Sequence, residues 1–124
     1  MLAMLCVALG GALGALARYG VSAWLTTPTN HFPWATFLIN TLGSFLMGVL
    51  FVLILEKARL PAEFRPLLMT GLLGGFTTFS TFSLEAVSLL HEGYYLTALI
   101  YVLLSVILCL GALGLGLTLS RAWF

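Results

Sequence analysis

Apolar residues in this chain come in long runs rather than alternating. A helix needs about 20 mainly apolar residues to cross the hydrocarbon core of a bilayer. Four stretches are long enough: Leu2 to Leu25, Trp34 to Leu55, Ala62 to Leu90 and Tyr94 to Ser120. Short polar connections separate them, namely Thr27-Pro28-Thr29-Asn30, Glu56-Lys57-Ala58-Arg59-Leu60-Pro61 and His91-Glu92-Gly93. Trp24, Trp34, Tyr94, Tyr95 and Trp123 fall near segment ends, where amphipathic rings settle at headgroup depth. The pattern predicts an all-α integral membrane protein with four transmembrane helices in a single domain, residues 1–124. The first segment lacks a basic leader and is too long for a signal sequence, so it reads as a retained helix.

The third segment departs from a plain anchor. Pro61 and Pro66 mark its start, and Gly74-Gly75-Phe76-Thr77-Thr78-Phe79-Ser80-Thr81-Phe82-Ser83 occupies its middle. Adjacent glycines loosen a helix, and the phenyl and hydroxyl run offers polar groups at membrane depth. The expectation is two half-helices, Ala62 to Gly74 and Thr78 to Leu90, broken at Gly74–Thr77. Bare backbone is not tolerated against lipid, so such a break faces protein or a wet cavity. In transporters, breaks of this kind hold ions through freed carbonyls and helix ends. The plainer alternative is a glycine kink used for tight packing.

Composition sharpens the class. The chain is 61% hydrophobic and 7% charged, against about 25% charged in soluble domains, and its mean hydropathy is +1.13. A net charge of +1 gives no reason to expect a nucleic-acid partner. Cys6 and Cys109 both lie in apolar segments and read as free thiols. No Cys/His spacing suggests zinc. Four crossings put both termini on the side that also carries Lys57, Arg59, Arg65 and Arg121, with Arg18 alone on the other. The positive-inside rule therefore favours cytoplasmic termini.

Few residues are polar at membrane depth. Asn40 is either interhelical glue or a donor to an anion whose own oxygen is held elsewhere. Glu85 is an intramembrane carboxylate, usually a functional group or half of a pair. Thr78, Thr81, Glu85 and Ser88 share one helical face, with Phe79 and Phe82 along a neighbouring stripe. Phenyl rings have an electropositive edge that can meet a small anion. Tyr101, Ser105 and Cys109 form a weakly polar stripe on the fourth segment. Arg18 can snorkel, pair with Glu85, or place positive potential at a pore mouth. Small residues four apart, Gly10/Gly14, Ser44/Gly48 and Gly71/Gly75, with Gly111, Gly114 and Gly116, suggest close helix packing and a dimer.

Three classes compete: an ion channel or transporter, an intramembrane enzyme, and a structural subunit. An enzyme needs a nucleophile and base, an acid pair or metal ligands. His31 and His91 lie outside the apolar segments, and Glu85 has no second acid near it, so catalysis is disfavoured. A structural role does not require the phenyl and hydroxyl run. Glu85 suggests a cation pathway; Arg18, Asn40, the hydroxyls and ring edges favour a small anion.

These stretches carry a resemblance. Gly10-Gly11-Ala12-Leu13-Gly14-Ala15-Leu16-Ala17-Arg18-Tyr19, Pro33-Trp34-Ala35-Thr36-Phe37-Leu38-Ile39-Asn40-Thr41-Leu42-Gly43-Ser44-Phe45, and the Gly74–Ser83 run followed by Glu85 resemble the Fluc/CrcB family of small fluoride channels across all four helices. The resemblance implies a passive fluoride channel exporting fluoride across the bacterial inner membrane. It implies an antiparallel, dual-topology homodimer in the lipid bilayer, with two pores. Phe79 and Phe82 match the rings lining the fluoride path, and Asn40 the pore asparagine. Ser80, Thr81, Tyr101 and Ser105 match the hydroxyl track. Gly74 and Thr77 match the carbonyl donors of a structural sodium ion. Arg18 falls near the vestibule, and Glu85 matches the third-helix glutamate. The chain departs from the family pattern at Cys109, in line with that track. Its four-to-one basic bias also departs from dual topology, unless it pairs with an oppositely biased paralogue. A small dual-topology multidrug or cation transporter is the alternative of similar size, but it needs an acidic residue in the first helix, and this one has none.

Overall fold

A computed structural model describes residues 1–25 and 31–124; the expected Thr27–Asn30 connection lies outside the described residues. Five helical pieces follow in order. α1 is Leu2–Trp24 and α2 is Trp34–Leu50, which runs on through the π-helical turns Phe51–Glu56. α3 is the π-helical Pro66–Leu73 closed by the α-turn Gly74–Phe76. α4 is Phe79–His91, and α5 is Tyr95–Trp123. Together they make four spans long and apolar enough to cross a membrane, α3 and α4 forming the third. At about 1.5 Å per residue α5 is about 44 Å long, more than the ~30 Å hydrocarbon core, so it tilts or projects beyond it.

The second span ends within one residue of its expected boundary. The third starts at Pro66 rather than Ala62, because 61–65 fold into a tight turn in which the Phe64 N–H donates to the Pro61 carbonyl at 3.1 Å. Proline suits a helix start, where its missing N–H has no partner to lose. Gly93 closes the α4–α5 turn at φ 87°, a conformation that needs glycine.

α1 packs along α3, and α2 packs along α5. The glycines explain how closely. A Cβ on Gly14 would run into the backbone of Leu72 and Phe76, and one on Gly75 would sit 2.7 Å from the Gly11 carbonyl oxygen. Likewise Gly48 meets the backbone of Leu113 and Leu117, and Gly116 that of Phe45. The small-residue faces thus close contacts inside one chain, and by themselves they do not require a second copy. The buried core is Phe37, Phe82, Ala86, Leu89, Ala98 and Tyr101, gathered where α2, α4 and α5 meet. Leu9, Leu13 and Leu16 on α1, and Leu103 and Ile107 on α5, point outward, as lipid-facing side chains should.

The end of the bundle that holds the α2–α3 connection is tied by charge. Arg121 grips Glu56 with two nitrogens, at 2.6 and 2.9 Å. Lys57 Nζ donates to the Arg121 carbonyl at 3.0 Å, and Arg59 to the Phe124 carbonyl at 3.1 Å. The last carbonyls of a helix lack internal donors and carry its negative dipole end, so these cations satisfy both.

Candidate functional site at the break in the third span

The third span breaks at Thr77 (φ −80°, ψ 157°) and Thr78 (φ −153°, ψ 122°). Gly74 and Gly75 are themselves helical, so the break sits at the C-terminal edge of the expected stretch. The residues around it explain why the helix stops. Thr77 turns its hydroxyl back onto the Leu73 carbonyl at 2.9 Å. Its methyl fills the space that a Cβ on Gly43 would take. Asn40 then occupies both backbone groups of Thr78: its amide nitrogen donates to the Thr78 carbonyl at 2.9 Å, and its oxygen accepts the Thr78 N–H at 2.8 Å. Thr78 in turn starts α4 as an N-cap, its hydroxyl accepting the Thr81 N–H at 3.2 Å.

This arrangement redirects two donors. In a continuous helix the Thr78 N–H would serve the Gly74 carbonyl, and the Thr81 N–H would serve Thr77. Both go elsewhere, leaving the Gly74 and Thr77 carbonyls without their helical donors. Gly74 is exposed, with no atom closer than 3.7 Å to where a Cβ would stand.

Arg18 lies at this depth too. Its Nε donates to the Gly75 carbonyl at 3.2 Å, placing a cation at the negative end of α3. Of the partners open to it from sequence, Glu85 is not the one it meets. It lies inside α1, six residues before the end of that helix, rather than in a loop. Glu85 instead accepts from the buried Tyr101 hydroxyl at 3.3 Å, and the Thr36 hydroxyl lies against both.

Two grooves flank the break. The larger, about 370 Å³, is walled by Asn40, Thr77, Thr78, Phe79, Phe82 and Ser105, and continues past Ser44 to Cys109 and Leu113. The ring centroids of Phe79 and Phe82 are 5.5 Å apart, and those of Phe82 and Tyr101 5.1 Å. Phe82 is buried against the core, whereas Phe79 is 78% exposed. The Ser105 hydroxyl is buried in the groove wall with no hydrogen-bond partner among the described residues. The Asn40 amide keeps one N–H beyond the one given to Thr78. The smaller groove, about 290 Å³, is lined by Arg18, Tyr19, Ser22, Thr36, Thr78 and Thr81.

The expected site residues are therefore not all together. Asn40, Phe79, Phe82, Ser105 and Thr77 wall the larger groove; Arg18 and Thr81 wall the smaller. Tyr101 and Glu85 form a pair behind Phe82. Ser80 is exposed, 3.3 Å from the Thr78 hydroxyl. Residues that sequence reasoning passed over are Thr36, Thr41, whose hydroxyl lies 3.9 Å from the Cys109 sulfur, and Gly43. Thr36 and Thr41 lie four before and one after Asn40, but a single hydroxyl in a helix is an ambiguous signal, since it bonds its own backbone equally well.

The larger groove is mainly apolar, with Asn40, Ser44, Thr77, Thr78 and Ser105 as its polar wall residues, and comparison with known proteins places the chain in a family. The family described as CrcB-like protein, Camphor Resistance (CrcB), matches residues 5–117. The chain belongs to the CrcB-like family. The match takes in the break, Asn40, the phenyl pair and Cys109, and so covers both grooves. Among curated CrcB-like relatives, the chain is 53% identical over 116 residues to the fluoride-specific ion channel FluC of Hahella chejuensis, covering 93% of this chain and 91% of that one. It is 51% identical to the fluoride-specific ion channel FluC of Saccharophagus degradans, covering 94% of this chain and 88% of that one. With the protein of the same name from Agrobacterium fabrum the identity is 42%, over the whole of both chains.

Proposed function

We propose that this CrcB-like protein is a passive fluoride channel that carries fluoride out across the bacterial inner membrane. The observation that carries the reading is the larger groove. It gathers the Asn40 amide, the Phe79 and Phe82 rings, and a buried Ser105 hydroxyl without a partner among the described residues. These are donors and positive edges with no acidic side chain among the wall residues, and relatives matched over nearly their full length bear the name of fluoride-specific channels.

The chemistry follows from desolvation. A bare anion in an apolar medium would cost tens of kcal/mol, so the path must replace its water. Several weak donors in series do this without holding the ion so tightly that it cannot leave. Rings fixed at close spacing favour a small anion over chloride. Net flux follows the membrane potential and the fluoride gradient.

The same groove supports an antiparallel pair of copies, with two pores. It is open-sided, and though mainly apolar it carries the polar groups of Asn40, Thr77, Thr78 and Ser105 at a depth where lipid offers no hydrogen bonds, so those groups require a cover. Phe79 in its wall is exposed, and so is Gly74 at the end of α3. A second copy of opposite orientation covers both; an oppositely biased paralogue is the other cover. Two carbonyls from each copy, those of Gly74 and Thr77, would hold a structural sodium ion. They fit it, being hard oxygen donors released by the break at the end of a half-helix. When bound, the ion supplies positive charge that ties the two breaks together. Arg18 already takes the neighbouring Gly75 carbonyl, leaving these two for the ion. Glu85 is held by Tyr101 and Thr36, and it would act on the Phe82 ring only through Tyr101, which packs against it.

Reconstitution tests the reading. Liposomes holding the protein and loaded with fluoride should release it on addition of a potassium ionophore, as read by a fluoride electrode. Chloride release from matched vesicles should stay at the level of protein-free vesicles. Fluoride release no faster than from protein-free vesicles sinks the proposal.

A further inference from the structure

Thr77 is held at three points where the third span breaks. Its N–H and its hydroxyl both donate to the Leu73 carbonyl, at 3.0 and 2.9 Å. Its methyl occupies the space in which a side chain on the buried Gly43 would begin. We propose that Gly43 is a positioning residue for the structural sodium ion: its missing side chain is the socket that lets the Thr77 carbonyl point at the cation. The proposal rests on the sodium reading above.

Two features of the geometry carry it. First, the methyl cannot turn aside. Threonine is branched at Cβ, so its hydroxyl and methyl move together about χ1. While the hydroxyl stays on Leu73, the methyl stays on Gly43. A Cβ at position 43 must therefore break the hydroxyl bond or shift the Thr77 backbone. The other neighbours leave room for one: the Phe76 ring would lie 3.5 Å away and Thr77 Cβ 3.7 Å, both ordinary contacts.

Second, any such shift falls on the carbonyl. Asn40 lies three residues before Gly43, on the same side of α2, and its oxygen accepts the Thr78 N–H at 2.8 Å. The Thr77 carbonyl is the opposite edge of that same trans peptide, so it points away from the Asn40 oxygen. The extended ψ of Thr77, 157°, carries this carbonyl out of the helix. One face of α2 thus fixes the peptide that bears the donor: Asn40 at its N–H edge, and Gly43 at the side chain that precedes it. Hard cations take oxygen donors within a narrow range of distance, so displacing one carbonyl weakens the site.

The experiment follows thermal unfolding of the purified protein in detergent while sodium chloride replaces N-methyl-D-glucamine chloride at constant ionic strength. The readout is the sodium concentration that gives half of the stabilisation. Gly43→Ala should raise this midpoint about tenfold or more, each tenfold being a loss of about 1.4 kcal/mol of binding. Thr77→Ser deletes the obstructing methyl and keeps the hydroxyl, so combining it with Gly43→Ala should bring the midpoint back to within about threefold of the native value. An unchanged midpoint in Gly43→Ala overturns the proposal, whether or not that variant melts lower, because the glycine then serves packing alone. Failure of Thr77→Ser to restore the midpoint overturns it as well. Should Gly43→Ala alone yield no folded protein, the double variant decides: a near-native midpoint upholds the socket, and a raised midpoint or no folded protein overturns it. A native chain whose melting ignores sodium sinks the sodium reading, and the positioning role with it.

Discussion

Asn40 holds Thr78 by both of its backbone groups, donating to its carbonyl at 2.9 Å and accepting from its N–H at 2.8 Å. One side chain from α2 thus stands in for the helical turn that the third span lacks. Asn40 also lines the larger groove, so the residue that props the break open is part of that groove's wall.

Removing the carboxamide should therefore damage fold and flux together. In Asn40→Ala both Thr78 groups lose their partner, at about 1–3 kcal/mol for each buried unsatisfied group. The expected outcome is a lowered melting temperature in detergent and fluoride efflux near the protein-free level. Asn40→Asp keeps the acceptor for the Thr78 N–H but loses the donor. It should melt closer to the native chain while still failing to pass fluoride, and normal efflux from it would remove the amide donor from the path.

The phenyl pair separates packing from passage. Phe82 is buried and backed by Tyr101, and Phe79 is exposed in the open groove. Phe82→Ile retains most of the apolar bulk but removes the ring edge. Efflux should fall by an order of magnitude or more, with the elution profile of the purified protein unchanged. Undiminished efflux would show that the ring serves only the core.

The glycine seam between α1 and α3 leaves no room for a methyl group. Gly75→Ala places a Cβ 2.7 Å from the Gly11 carbonyl, backbone that cannot turn aside. Overpacking of this kind costs about 1–3 kcal/mol. Gly111→Ala, where a Cβ meets nothing within 4 Å, is the control and should be neutral. Thermal melts of the two variants side by side check the contrast; equal melting temperatures would mean that the helices separate readily.

Arg18→Gln should loosen the break from its other side. The Gly75 carbonyl loses a charge-assisted bond, of a kind worth about 1.5–3 kcal/mol. Amide hydrogen exchange over 72–78 should quicken, with the α2–α5 contact unaffected. Protection identical to the native chain would mean that Asn40 alone keeps the break in place.

A sodium ion on the Gly74 and Thr77 carbonyls predicts ion-specific stability. Protein purified with a bulky organic cation in place of sodium should melt at lower temperature and recover when sodium is added back. An unchanged melt in both conditions would leave these carbonyls to some other partner.

The four crossings could be read from sequence because the hydrophobic requirement of a bilayer is written in continuous runs, and any helix meeting it must be long. The break was legible only in part. Gly-Gly pointed to the right region, but both glycines are helical and Gly75 serves close packing against Gly11, while the chain opens two residues later. Which of two adjacent features interrupts a helix depends on competing partners, and the partner that wins here, Asn40, is 38 residues away. Helical spacing likewise put Thr81 and Glu85 on one face, yet they part company: Thr81 faces the smaller groove, and Glu85 turns to Tyr101.

What the sequence by itself determined is the membrane class, the number of spans and the short set of residues polar enough to matter, because burying such groups in lipid is too costly to be incidental. What only the tertiary structure decided is how that set is divided. Arg18 goes to a helix end rather than to Glu85, Asn40 clamps the backbone, and Ser105 is left in a groove wall without a partner among the described residues. The reason is that a polar group at membrane depth must find a partner, and only the packing of α1 on α3 and α2 on α5 fixes which partners lie within about 3 Å.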